Sequence, residues 1–320
     1  MLAPLLAKAR ERYPDARIVM TVRPALLPLY ATKPFGVEAR PFDPRDRDTL
    51  DPLRLEGGFD LGLVPGDNRF SWLAAALDAA WILAFSGDRP AHKNWMVDEQ
   101  VPYPDRPGAW SDMNGLLIDG PAPQPFHPSH WPAPPHAPFQ RPAGRYAVLH
   151  VEASTPLKHW EDEKWLALAD ALSEKRLEVV WSAGRDGQAL LDRIDPGKRF
   201  QAIGHRLDLA QLWHLVAGAA LLVSPDTSVA HLGKLTFTPT VTLFGPSSAA
   251  LFGKGDFWRD APFREVTVPD FPCRDQQTLF KRRIEWVRRC QRSVQECAEP
   301  RCMRAISIEQ VNGAAASLGV

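Results

Sequence analysis

Short apolar runs alternate with amphipathic helical segments on both sides of a proline cluster, and this rhythm predicts an α/β protein of two parallel-sheet domains. At 320 residues the chain is long enough for two domains of ordinary size, each with its own core. The cluster marks the boundary between them. Pro121, Pro123, Pro125, Pro128, Pro132, Pro134, Pro135, Pro138 and Pro142 fall in one stretch. Each fixes φ and removes a donor, so the stretch reads as a semi-rigid extended connector rather than a helix or central strand. A ligand for a proline-recognition domain is the alternative. The expected divisions are residues 1–120, a linker at 121–143, a second domain at 144–306 and a closing helix at 307–320.

In the first domain, residues 2–12 have helical spacing and are stopped by Pro14. Residues 16–22, 37–42 and 59–64 read as strands, the last ending at Pro65-Gly66-Asp67. A helix over 70–79 and a buried strand over 81–85 follow. In the second domain the pattern is clearer. Residues 146–151 form a strand, and 161–175 a helix with Trp165, Leu168, Ala169 and Leu172 on one face. Strands at 177–182, near Phe200, at 219–224 and at 240–244 alternate with helices around 188–194, over 209–216 and after Asp226. Such alternation implies right-handed crossovers, with ligands at the carboxyl ends of the strands.

Lys and Arg balance Asp and Glu at 38 each, so no global field attracts nucleic acid and any anion site must be local. No apolar run approaches the roughly 18 residues needed to span a bilayer. Lys8, Arg10 and Arg12 follow the apolar start too soon for a signal peptide, so a cytoplasmic location is expected.

Three segments carry candidate chemistry. In Ser224-Pro225-Asp226-Thr227-Ser228-Val229-Ala230-His231-Leu232 a buried strand runs out, and Asp226 or Thr227 can cap the next helix. The free N–H groups of that helix suit a diphosphate, and His231, four residues after Thr227, shares its face. Simple capping with a packed histidine is the plainer reading. In Pro156-Leu157-Lys158-His159-Trp160, Lys158 would meet the same crevice and neutralise a leaving phosphate, or merely be solvated. In Phe244-Gly245-Pro246-Ser247 a strand enters a turn whose small residues let a ligand approach the backbone, unless it is a turn and nothing more.

In that order, Lys158 with Trp160, then Asp226, Thr227, His231 and Leu232, then Phe244, Gly245 and Pro246 resemble glycosyltransferase family 9, the bacterial lipopolysaccharide heptosyltransferases. The resemblance is strong over about residues 140–311 and weaker before. It implies two facing Rossmann-like domains of the glycosyltransferase B type and an inverting, metal-independent sugar transfer. It also implies a nucleotide-sugar donor such as ADP-heptose, a glycolipid or glycan acceptor, no required cofactor and no nucleic acid. Lys158, Asp226, Thr227, Ser228, His231, Gly245 and Pro246 would then hold the donor, with Lys158 and His231 serving the chemistry.

This chain departs from the family in three places. The family opens with a strand and a Gly-Asp loop that carries the proposed base. Residues 1–6 already read as the helix after that loop, so the first strand and the base are expected to be missing. Ser228 replaces a usual glycine. An acidic residue that binds the donor ribose in some relatives falls near Gly184, with Asp186 a loose substitute. Asp67 is a candidate replacement base. The rival readings are a non-catalytic sugar-nucleotide-binding or scaffold protein and a sugar-nucleotide epimerase.

Cys273, Cys290, Cys297 and Cys302 lie near the end with spacings that match no standard zinc pattern. They stand as reduced thiols, as a zinc or iron site, or as disulfides. Some relatives carry a cysteine group here, ending in a Cys-Met pair like Cys302-Met303. Residues 280–289 read as a helix with its arginines on one face. That face is either solvated or placed against a phosphorylated glycolipid or the inner-membrane surface. Arg69 is a further candidate for an acidic acceptor.

Overall fold

In the computed structural model, which describes residues 1–184, 186–203 and 206–320, the chain enters at helix α1 (Ala3–Arg12). Leu5, Leu6 and Ala9 bury one face of it. Arg10 ties its end to the following chain through the carbonyls of Phe35 (2.9 Å) and Ala16 (2.9 Å). Strands β1 (Ile18–Val22) and β2 (Val37–Pro41) pair in parallel and form a small sheet of their own. After α2 (Leu50–Arg54) come β3 (Gly62–Val64), α3 (Ser71–Ala76), β4 (Ile82–Phe85) and β5 (Glu99–Val101), and the three strands make a second parallel sheet. Helix α4 (Trp110–Asn114) closes this half.

The C-terminal half is one six-stranded parallel sheet. Its elements in chain order are β6 (Tyr146–His150), α5 (Asp162–Glu174), β7 (Glu178–Ser182), α6 (Gln188–Ile194), β8 (Gln201–Ala202) and α7 (Leu209–Ala217). Then come β9 (Leu221–Pro225), α8 (Ser228–Thr236), β10 (Thr240–Phe244), α9 (Ala249–Phe252) and β11 (Phe263–Thr267). The spatial order β8-β7-β6-β9-β10-β11 is the 3-2-1-4-5-6 order of a doubly wound dinucleotide fold. Strands β6, β9 and β10 are buried along their whole length because helices cover both faces. On one side α5 and α11 (Ile308–Ala316) pack Trp165, Leu168 and Val311 onto the sheet. On the other, Trp213 and Leu215 of α7 share a cluster with Ala3, Leu29 and Trp131. That second cluster joins the two halves.

The N-terminal half has no such continuous sheet among the described residues: β1-β2 and β3-β4-β5 are separate sheets of two and three strands.

Most expected elements form near their expected bounds, and β5 and β11 are additional. One expectation is overturned. Residues 280–289 are not a helix. Strands β12 (Thr278–Leu279) and β13 (Arg282–Arg283) pair antiparallel across Phe280 and Lys281, whose φ values of 45° and 63° are left-handed. Two consecutive positive-φ residues make the tight hairpin turn that matches strand twist. The burial then alternates with period two: Arg282 and Ile284 are inside, Arg283 and Glu285 outside. No single face of arginines results.

The proline-rich stretch contains one short turn, Pro128–His130, and is otherwise extended. It is stitched to the rest of the chain. Trp131 Nε1 donates to Leu29 O (2.9 Å), Phe126 N to Phe257 O (2.8 Å), and Pro134 O meets the His214 ring (2.8 Å). Among the described residues no helix is long and apolar enough to cross a membrane.

Candidate functional site

A cavity of about 570 Å³ opens at the carboxyl ends of β6 and β9. These neighbouring strands send their chains to opposite sides of the sheet, which makes the crevice between them the switch point where doubly wound folds bind ligands. Its walls come from the loop after β6, the start of α8, the turn after β10 and residues 289–292. Trp110 of α4 faces them from the N-terminal half.

Local capping sets the geometry. Thr155 caps the turn Pro156–Lys158 by accepting from Leu157 N, and this turn delivers Lys158 to the cavity. The Lys158 ammonium donates to the Asp226 carbonyl (2.8 Å) and pairs with its carboxylate (2.9 Å). Thr227 caps α8, its hydroxyl accepting from Val229 N (3.3 Å). Ser228 begins the helix and is not among the positive-φ residues, so it fits where a glycine is usual without backbone strain. His231 lies one turn on and lines the cavity. Burial first, then the charges of Lys234, the chain's amino group and Lys158, hold its imidazole well below the ordinary 6.5. At neutral pH it is therefore an uncharged ring with one N–H to donate.

Lys234, also on α8, is buried and pushed down to about 8 by that burial. Its ammonium donates to the carbonyls of Phe252 and Gly253 and lies 4.4 Å from the Phe263 ring centroid. It thereby fixes Phe252, which lines the cavity.

The expected site residues do not all meet. Lys158, Asp226, Thr227, His231 and Pro246 line the cavity together. Gly245 does not. A side chain there would collide with the Met303 thioether, so the missing side chain makes room for the C-terminal segment α10 (Arg301–Arg304), not for a ligand. Asp186 is exposed in a turn before α6 and is not part of the wall. Trp160 is core, with Nε1 donating to Ile306 O (3.0 Å).

Asp67 also lies away from the cavity wall. Its carboxylate pairs with Lys93 (2.6 Å) and accepts from Arg69 N (3.0 Å). Burial alone would raise its pKa, but Lys93 and the backbone bond outweigh it and hold the carboxyl below its usual 3.8. Such a group is a weak base. Lys93 also pairs with Asp88 (3.2 Å), which is met from across the molecule by Arg282 (3.5 Å).

The four cysteines are free thiols, and among the described residues no group of three or more His, Cys, Asp or Glu is placed to hold a metal ion. Burial, and next the neighbouring Cys273, push the Cys302 thiol up to about 11. Sequence reasoning missed Arg282 and Arg289 as individual residues, because it placed both on the charged face of a helix.

Residues 125–282 match the model of the family described as glycosyltransferase family 9 (heptosyltransferase). Lipopolysaccharide heptosyltransferase 1 of Escherichia coli O18:K1:H7 is 28% identical over 130 residues, which are 39% of this chain and 40% of that protein. The match thus spans about two fifths of the relative's length. Among solved structures, E. coli ADP-heptose lps heptosyltransferase II superposes with a TM-score of 0.71 at 16% identity, covering 99% of this chain and 95% of its own. The glycosyl transferase family 9 structure from Veillonella parvula gives a TM-score of 0.71 at 15% identity, covering 99% and 92%. At such identities these likenesses speak for the fold, an α/β architecture of the glycosyltransferase B type. Residues 125–282 of the chain thus form a glycosyltransferase family 9 (heptosyltransferase) domain.

Proposed function

We propose that the chain transfers a heptose from a nucleotide-activated donor, ADP-heptose or a close analogue, to a glycolipid or glycan acceptor of the lipopolysaccharide type. On this reading residues 144–306 hold the donor, residues 1–120 face the acceptor, and 121–143 connect them, with residues 307–320 as the closing helix. The work takes place in the cytoplasm, peripheral to the inner membrane that carries a lipid-linked acceptor. The observation that carries the reading is the cavity at the switch point, with Lys158, the capped start of α8 and a neutral His231 on one wall. The names of the relatives support the sugar and the nucleotide.

The chemistry is a displacement with inversion that calls on no metal. The acceptor oxygen forms a bond to the anomeric carbon as the bond from that carbon to the phosphate oxygen breaks. The electron pair leaves on the nucleoside diphosphate, and the acceptor proton passes to a base. Donors aimed at the departing phosphates are worth about 3–4 kcal/mol each by analogy with oxyanion holes. On this reading Lys158, the first N–H groups of α8 and the His231 ring take this role. A binding-only protein is the second reading, favoured by the ion pair that holds Asp67 to Lys93.

The test is a thermal-shift titration of the chain and of Lys158→Ala with ADP-, UDP- and GDP-sugars. Binding to the native state raises the midpoint with the logarithm of ligand concentration. A shift with the ADP sugar, weakened about 10–100-fold in apparent affinity by the substitution, is the expected result. No shift with any of the three, from a chain that melts cooperatively, sinks the donor reading. Sugar release to an acceptor glycan then separates transferase from binding protein.

A further inference from the structure

Among the described residues that line the cavity, one side-chain cation has no ion-pair partner. Lys158 is balanced by Asp226, and Arg292 forks onto both oxygens of Asp275 (3.0 and 2.9 Å). His231 is uncharged. Arg289 also lines the cavity, yet among the described residues its guanidinium makes no hydrogen bond or ion pair. It lies over the Phe252 ring at 5.4 Å from the centroid, and its Nε is buried without a partner. The Ser247 hydroxyl, on the same wall, is buried and equally without a partner. A buried donor left without a partner is costly, so two of them in residues that line one cavity ask for an acceptor that arrives from outside.

The backbone holds these two groups together. Arg289 N and O exchange hydrogen bonds with Gln276 O and N (3.3 and 3.0 Å), and Cys290 N donates to Pro246 O (2.9 Å). Each orphaned group is therefore next in sequence to a residue of the Pro246–Cys290 bond. The guanidinium fork and the hydroxyl are preset to grip an oxyanion with several acceptor oxygens.

We infer that Arg289, assisted by Ser247, holds the distal phosphate of a nucleoside diphosphate in this cavity. Lys158 and the start of α8 take the other phosphate. The inference rests on the donor-site reading above and adds to it the group that distinguishes a diphosphate from a monophosphate. It also accounts for charge: a Lys158–Asp226 pair is neutral as a unit and cannot by itself balance two phosphates.

Calorimetric titration of the full chain with ADP and with AMP tests it. The unsubstituted chain should bind ADP about tenfold or more tightly than AMP. Arg289→Met should weaken ADP about 10–100-fold and move AMP by no more than about twofold, with Arg289→Lys recovering part of the loss. If ADP binds Arg289→Met as it binds the unsubstituted chain, the inference fails and the donor reading stands. If the unsubstituted chain binds neither nucleotide, the donor reading fails and takes the inference with it. Should Arg289→Met not melt cooperatively, Arg289→Lys and Ser247→Ala decide: an unchanged ADP-to-AMP ratio in both overturns the assignment.

Discussion

Among the carboxylates paired with cations, Asp226 and Asp88 are given opposite parts by their surroundings. Asp226 meets Lys158 at the mouth of a cavity, with the lysine side chain 22% exposed. Asp88 is fully enclosed, its side chain 0% exposed, between Lys93 and Arg282. Arg282 goes further: its guanidinium also donates to the carbonyls of Ser86 (2.8 Å), Gly66 (3.1 Å) and Phe85 (3.1 Å) and to Asn68 Oδ1 (2.7 Å). Those partners belong to the N-terminal half, while Arg282 belongs to the hairpin of the C-terminal half. The open pair can trade its carboxylate for a phosphate at little cost, because water and ligand both reach it. The closed one has all five guanidinium N–H groups of Arg282 engaged and is shut off from water. An ion pair marks a site when it is reachable, and a joint when it is sealed.

The contrast can be broken in three ways. The largest effect is expected from Arg282→Met, which leaves Asp88 with one cation fewer and takes the guanidinium donor from the Ser86 and Gly66 carbonyls. Breaking a buried pair on one side costs about 3–5 kcal/mol, read as a lower denaturant midpoint. A loss below about 1 kcal/mol would mean that the joint is not sealed. Next comes acid. Asp67 has a folded pKa below its unfolded 3.8, so its contribution is fully present above that value and is lost as pH falls through the folded pKa. Asp67→Asn should therefore lower stability at pH 6 and converge on the parent as pH falls through the folded pKa, below 3.8. Parallel pH curves would detach Asp67 from the Lys93 network. Smallest is the stability change of Lys158→Ala, expected within about 1 kcal/mol because the pair is partly solvated. A larger loss would make Lys158 a structural residue and weaken its case as a phosphate ligand.

How much of this was legible follows from what each signal depends on. The six-stranded sheet was readable because runs such as Leu221-Leu222-Val223 are apolar without alternation, the mark of strands covered on both faces. That Lys158, Asp226, Thr227 and His231 line one cavity follows local signals: capping and the helix repeat for the last three, and the loop after a strand for Lys158. Gly245 was placed in the right turn but given the wrong neighbour. Its close approach is to Met303, 58 positions later, and no local rule carries that contact. Residues 280–289 were misread because two non-glycine residues take left-handed φ in the turn, which composition does not announce. Once the helix was assumed, Arg282 and Arg289 became members of a charged face rather than individuals with separate tasks. β11 and β5 were missed because residues such as Arg264, Glu265, Glu99 and Gln100 give an edge strand a polar cast.

The contact between Gly245 and Met303 has a consequence for inheritance. Because the two positions share one volume, neither can drift by itself: a bulkier residue at 245 survives only beside a smaller one at 303, and the pair should change together among descendants of this sequence.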